Sequence, residues 1–303
     1  MARRKKGNPV HGWVVLDKPI GMTSTQAVGA VRRLFDAQKA GHAGTLDPLA
    51  TGILPIALGE ATKTVPFAVD GEKSYRFTVR FGAETDTDDA EGKVVRTSDV
   101  LPTAEDIEDI LEDFMGEISQ VPPAFSAIKI DGNRAYDLAR SGEEVVLEPR
   151  IVLIEELRLI DMPDAATAVL EADCGKGTYV RALARDMGRE LGSAGHVIGL
   201  RRTRVGPFYE DASVSLAALT EAAEAGDIDR YLRPVEAALD DIPALSVGPN
   251  DAASLARGQA VLVRGRDAPV LSGAAWVHFK GRILALGELE KGAFRPTRVF
   301  NFG

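Results

Sequence analysis

The 303-residue chain holds one cysteine, Cys174, and four scattered histidines, His11, His42, His196 and His278. A single thiol cannot close an internal disulfide, so a disulfide scaffold and a multi-cysteine zinc module are excluded and a reducing compartment is expected. Histidines this far apart show no ligand spacing, so no metal site is read. Long apolar runs are missing too. No stretch reaches the roughly 18 residues of a membrane helix, and the basic opening MARRKKGNPVHGW lacks the apolar core of a signal peptide. A cytoplasmic protein with no membrane partner is therefore expected. The phosphate-cradling pattern GxxxxGK[ST] occurs nowhere; its nearest approach, GKGTYV at 175–180, has Gly177 where the hydroxyl residue belongs. The acidic run ETDTDDAEG at 84–92 places no Gly and Glu where a calcium loop needs them, so it reads as a solvated turn.

What is present is enough apolar residue, 45%, to fill a sizeable core, with a net charge of −9. The length fits one large domain plus a smaller one. Charge is unevenly spread: Glu105, Asp106, Glu108, Asp109, Glu112, Asp113 and Glu117 crowd one segment, while residues 241–303 carry eight Lys/Arg against five Asp/Glu. A surface for a polyanion is then a local patch. Its candidates are Arg201, Arg202 and Arg204, with Lys129, Arg134, Arg140 and the helical stripe Arg185 and Arg189.

Periodicity supplies the elements. Trp13 to Asp17 and Ile53 to Leu58 read as apolar strands, and Thr23 with Gln26 caps a helix running to about Phe35. Between them GHAGTLDPLATG, residues 41–52, reads as a loop. Tyr75, Phe77, Val79 and Phe81 alternate with polar residues as a half-buried strand does. The acidic segment is an amphipathic helix capped by Thr103, striped by Ile107, Ile110, Leu111 and Phe114, and closed by Gly116. Strands follow at Ile151 to Ile160 and Thr167 to Ala172, a helix at about Thr178 to Leu191 and another near Tyr231 to Leu239. Short β-like runs then begin, placing a boundary near Pro243. Strands mixed with capped helices make the fold class α+β.

One carboxylate has an unusual setting. Asp47 sits among Gly41, Gly44, Pro48 and Gly52, and Pro48 biases it toward an extended backbone. Alone, an Asp-Pro pair reads first as turn chemistry. As a nucleophile or base it would need a cation nearby.

Six ordered segments change that weighing: GWVVLDKPIGMTS (12–24), GHAGTLDPLATGILPIALGEATK (41–63), YRFTVRFGAETDTDDAEG (75–92), QVPPAFSAIKIDGNRAYDLAR (120–140), GTYVRALARDMG (177–188) and HVIGLRRTRVGPF (196–208). Together they resemble the bacterial tRNA pseudouridine-55 synthases of the TruB type. The resemblance implies a mixed, largely antiparallel central sheet flanked by helices in residues 1–242 and a small β-rich, PUA-like RNA-binding domain in 243–303. It implies isomerisation of uridine-55 in the T-loop of tRNA, with the uridine flipped out and no cofactor or metal. Asp47 becomes the catalytic nucleophile and Arg181 its partner, a guanidinium able to fix the carboxylate and stabilise its charge. Tyr75 stacks on the flipped uracil and assists proton removal. His42, Leu200, Lys18, Lys63, Asp89 and Tyr179 become substrate-binding residues. The implied partner is tRNA, through its T-arm and acceptor side, bound by a monomer with no obligate protein partner. A non-catalytic RNA-folding protein, or a synthase acting on another RNA, remain as rival readings.

Overall fold

The computed structural model describes residues 7–126, 128–130, 133–135, 141, 145–263 and 272–302; the basic tail at 3–6 and Arg140 lie outside them. Strand β1 (Gly12–Lys18) sends Trp13 and Val15 into one core and Val14 and Leu16 into another, and all four are buried. A strand covered on both faces reads in sequence as a continuous apolar run. Helix α1 (Ser24–Leu34) starts at the capping box of Thr23 and Gln26 and turns Ala27 and Val31 inward. Strands β2 (Ala40–His42) and β3 (Thr51–Leu58) follow. They correct the expectation of a loop over 41–52 at both of its ends. His42 pairs opposite Ile56, so sheet bonds satisfy the backbone of the glycine-rich stretch there.

Helix α2 (Val65–Asp70) leads to β4 (Lys73–Phe81), and β5 (Ala83–Thr85) pairs with β6 (Val94–Thr97) as a ribbon. Helix α3 (Ala104–Ile110) starts at Thr103 as read, but tightens into a 3-10 turn over Leu111–Phe114. Gly116, at φ +77, then opens β7 (Gly116–Gln120) and so begins a strand instead of closing a helix. The short pair β8 (Lys129–Ile130) and β9 (Asn133–Arg134) precedes β10 (Arg150–Asp164), β11 (Thr167–Cys174), α4 (Val180–Glu190) and β12 (Gly195–Val205). With β13 (Phe208–Tyr209) and β14 (Val214–Ser215) these complete a sheet ordered β14-β1-β3-β12-β4-β11-β10-β7, with β13 and β2 attached to β12 and β3. Its pairings are antiparallel except β1 with β14 and β3 with β12. Helix α4 covers one face, burying Val180, Leu183, Ala184 and Met187 against Phe77, Val79 and Leu170.

Helix α5 (Leu216–Glu224) follows; the helix read at Tyr231 to Leu239 is instead two 3-10 turns, Ile228–Tyr231 and Val235–Ala238. Pro234 separates them, since it cannot donate into a helix ladder. Strand β15 (Ala244–Ser246), helix α6 (Pro249–Ala256), β16 (Val261–Leu262), β17 (Gly273–Phe279), β18 (Arg282–Glu290) and β19 (Ala293–Val299) form a second sheet, ordered β15-β17-β18-β19-β16. Ile283, Leu286 and Phe300 pack into the core of Trp13, Ile53 and Val235. The second sheet is thereby seated on the first.

Candidate active site

The segment between β2 and β3 carries Asp47 and is fastened along its length. The Ser24 hydroxyl, at the start of α1, donates to the Leu46 carbonyl at 2.9 Å and accepts the Leu46 N–H at 2.8 Å. Arg202 reaches from β12 and donates to Gly44 O at 3.0 Å, Thr45 O at 3.4 Å and Ile53 O at 2.8 Å. Lys18 Nζ donates to the carbonyls of Pro19, Met22 and Pro48 at 2.9, 2.7 and 3.5 Å. Burial pulls the Lys18 ammonium down to about 8, against the attraction of Asp47. Gly52, at φ +97, leaves no room for a side chain: a Cβ there would lie 2.2 Å from the Arg202 carbonyl. A loop so held presents its carboxylate in one geometry.

That carboxylate meets Arg181. Arg181 Nη2 lies 2.9 Å from Asp47 Oδ2, and Nη1 lies 3.5 Å from Asp89 Oδ2. The same guanidinium donates to the carbonyls of Thr87 and Phe125 at 2.8 and 2.9 Å. The Tyr179 N–H before α4 is taken by the Gln120 side chain at 2.8 Å, which docks the helix start against the end of β7. Spacing of four residues then puts Arg181, Arg185 and Arg189 on one side of α4. Each finds a carboxylate in the 84–89 segment. Arg185 Nη1 is 2.9 Å from Asp88 Oδ2, and Arg189 pairs with Glu84, which also holds Arg96 at 3.2 Å.

This overturns the reading of 84–92 as a solvated turn. Asp88 and Asp89 are buried because a helix of arginines faces them, and the Asp88 carbonyl accepts the Val197 N–H of β12 at 3.1 Å. Burial raises the Asp88 carboxyl to about 6 although Arg185 and Arg181 draw it down. The proposed basic groove is corrected with it. Arg185 and Arg189 are spent on carboxylates, Arg201 pairs with Asp17 and Glu210, Arg204 pairs with Glu72, and Arg202 is wholly enclosed. Lys129 and Arg134 lie on the paired strands β8 and β9.

Asp47 stands between two cavities. One, of about 310 Å³, is lined by Asp47, Tyr75, Tyr179, Arg181 and Leu200. Its volume is at the lower end for small-molecule sites. The other, of about 670 Å³, is lined by Asp47, Arg181, His42 and Asp89. Burial, with Arg202 adding to it, lowers the His42 imidazole from its ordinary value. Burial raises the Tyr75 phenol against the opposing charge of Arg202. Of the sequence-read residues, Lys18 and Lys63 line neither cavity: Lys18 is spent on the carbonyls around the loop, and Lys63 pairs with Glu60 at 2.5 Å and donates to the Val299 carbonyl at 2.8 Å. Sequence reasoning did not single out Ser24, Asp88 or Lys73. Lys73 had one available signal, two residues before Tyr75 on the same strand face. Among the described residues no cluster of three or more His, Cys, Asp or Glu could hold a metal ion, and no helix is long and apolar enough to cross a membrane.

The chain is similar to known proteins over nearly its whole length. Residues 32–180 match the TruB family pseudouridylate synthase (N terminal domain), and residues 181–240 match the tRNA pseudouridylate synthase B C-terminal domain. The chain is 61% identical to the tRNA pseudouridine synthase B of Bradyrhizobium diazoefficiens, covering 99% of itself and 90% of that protein. It is 54% identical to the protein of the same name from Caulobacter vibrioides, covering 99% of each. Among solved structures it resembles a crystal structure of a Cbf5-Nop10-Gar1 complex, with a TM-score of 0.75 and 26% identity over 97% of this chain and 85% of that one.

Proposed function

The chain belongs to the TruB family of pseudouridylate synthases, and from that membership we propose that it isomerises uridine-55 in the T-loop of tRNA to pseudouridine, with Asp47 as nucleophile and without a cofactor. The observation that carries the reading is the Asp47 carboxylate, 40% exposed and open to the small cavity, held at 2.9 Å by an Arg181 side chain that is only 6% exposed. A charged nucleophile must stay aimed and accessible at once. Attack at C1′ of the ribose or at C6 of the base both need it.

Placement supports the other roles in this proposal. Tyr75 stacks on the flipped uracil and takes part in proton removal, Leu200 and Tyr179 complete the base pocket, and His42 and Asp89 face neighbouring nucleotides from the larger cavity. Lys18 braces the loop and Lys63 braces the second sheet. We assign residues 1–242 to catalysis and 243–303 to a PUA-like module that contacts the acceptor side of the tRNA, in a monomer working in the cytoplasm.

The test is tritium release from tRNA carrying 5-tritiated uridine, comparing wild type with Asp47→Asn and measuring tRNA binding by both. Release by wild type alone, with binding kept by the variant, is expected. A folded wild type that binds tRNA and releases nothing would overturn the synthase reading in favour of an RNA-folding protein or another RNA substrate. Release from a tRNA lacking uridine-55 would overturn the choice of site.

A further inference from the structure

Lys73, at the start of β4, lines the small cavity beside Asp47 and is only 6% exposed. Its Nζ donates to the carbonyls of Val69 and Gly71, and no ion pair found among the described residues includes it. An ammonium has three donors, so one remains. Burying such a charge without a carboxylate is costly. In the wall of a reaction cavity that cost points to work on the substrate. Ser126 lines the same cavity, and its buried hydroxyl finds no hydrogen-bond partner. The cavity therefore offers polar groups that the protein itself leaves unused.

We propose that Lys73 donates its remaining N–H to a carbonyl oxygen of the target uracil and holds the charge that gathers there while the base turns. The proposal rests on the pseudouridine synthase reading. In the reaction the N1–C1′ bond breaks and its electron pair stays on the ring, spread over O2 and O4. The C5–C1′ bond then forms, C5 gives up a proton and N1 takes one up, so nothing is gained or lost overall. A turn about the N3–C6 axis that exchanges N1 for C5 also exchanges O2 for O4. A donor fixed in the wall thus meets a carbonyl before the turn and a carbonyl after it. Cytosine has an amino group at one of those two positions and would present N–H to the ammonium at one end of the turn. Lys73 is on this account a charge-stabilising and base-selecting residue, aimed where charge develops.

The charged and titratable groups that act most on Lys73 are Arg202 of β12, Cys174 of β11, Asp70 of α2 and Lys176 beyond β11, and Asp47, Tyr75, Arg150, Tyr179 and Arg181 line the same cavity. Burial is the main influence on its ammonium, which falls to about 8.

Single-turnover tritium release and tRNA binding, measured across pH on the full chain, test the assignment. Lys73→Met is expected to lose about 100-fold in rate, the scale of one lost oxyanion-type donor, while its tRNA affinity stays within about twofold of wild type. The wild-type rate is expected to fall as pH rises through about 8, and Lys73→Arg, which keeps its charge, to carry that fall to higher pH. A brace for the turn at 69–71 would not move the pH profile. Wild type needs no variant for a further measurement: tRNA with 2-thiouridine or 4-thiouridine at the target should react more slowly in both cases, because each sulfur occupies the donor's position at one end of the turn. A folded Lys73→Met with wild-type rate, or thio-substrates turned over as fast as uridine, would overturn the proposal while leaving the synthase reading intact. A wild type with no release from unmodified tRNA would overturn both.

Discussion

Arg181 divides one buried guanidinium between two carboxylates, Nη2 at 2.9 Å from Asp47 and Nη1 at 3.5 Å from Asp89. The fork geometry of arginine makes this possible, and a lysine offers only a point charge. Arg181→Lys should therefore recover little. We expect Arg181→Met to lose about 100-fold or more in single-turnover rate, with tRNA affinity nearly unchanged, and Arg181→Lys to fall closer to Met than to wild type. Equal rates for Arg181→Lys and wild type would show that charge alone suffices.

Asp88 gives a pH dependence with a defined sign. Burial raises its folded value to about 6 from an ordinary 3.8, so the folded state holds this proton more tightly than the unfolded chain. The stability tied to that proton is present below the unfolded value and is lost as pH rises through about 6. Asp88→Asn cannot titrate. Relative to that variant, wild type should lose urea stability between about pH 4 and about pH 6 and stay level above that. Parallel curves for the two proteins would refute the raised value.

Much of this was legible in the sequence, and the failures have physical causes. The β1, α1 and β4 readings rest on local periodicity and capping, which the chain itself carries, and the helix read at about Thr178 to Leu191 is found as α4 for the same reason. Asp47 and Arg181 were paired through a resemblance, and spacing along the chain could not have joined them. The acidic turn at 84–89 was misread because its arginines arrive from α4, about a hundred residues later. Arg202 was misread for a related reason: in a run of arginines nothing local marks the one that faces inward. The strand period does, once the strand is known, since Arg201 and Arg202 then point to opposite faces.

Arg202 makes a strong prediction of its own. It is 1% exposed and joins β12 to the carbonyls of Gly44, Thr45 and Ile53. Arg202→Met leaves three acceptors without that donor, and we expect about 3–5 kcal/mol of lost stability, the range for breaking buried charged networks. Gly52→Ala should act on the same contact from the other side, because its Cβ would collide with the Arg202 backbone at a φ that disfavours any side chain. Denaturant titration of both variants checks this. A loss below about 1 kcal/mol in Arg202→Met would show that water replaces the guanidinium.

The seat of the second sheet supplies the last prediction. Glu60 accepts from Lys63 Nζ at 2.5 Å and from the Asn301 N–H at 2.7 Å, while Lys63 also donates to the Val299 carbonyl at 2.8 Å. One carboxylate and one ammonium thus tie the chain end after β19 to the 3-10 turn that follows β3. Both side chains are partly exposed, so their worth to global stability is small, about 1 kcal/mol or less. Their effect should be local. In Glu60→Ala the amides around Val299 to Asn301 should exchange hydrogen faster, with the amides of β3 unchanged, because the apolar contacts of Ile283, Leu286 and Phe300 with Trp13 still hold the sheets together. If the second sheet helps to grip tRNA, the variant should also show a higher KM with kcat preserved, since Glu60 and Lys63 do not line the small cavity that Asp47 borders. Loss of kcat with KM unchanged would instead mean that this strut reaches the chemistry through β3.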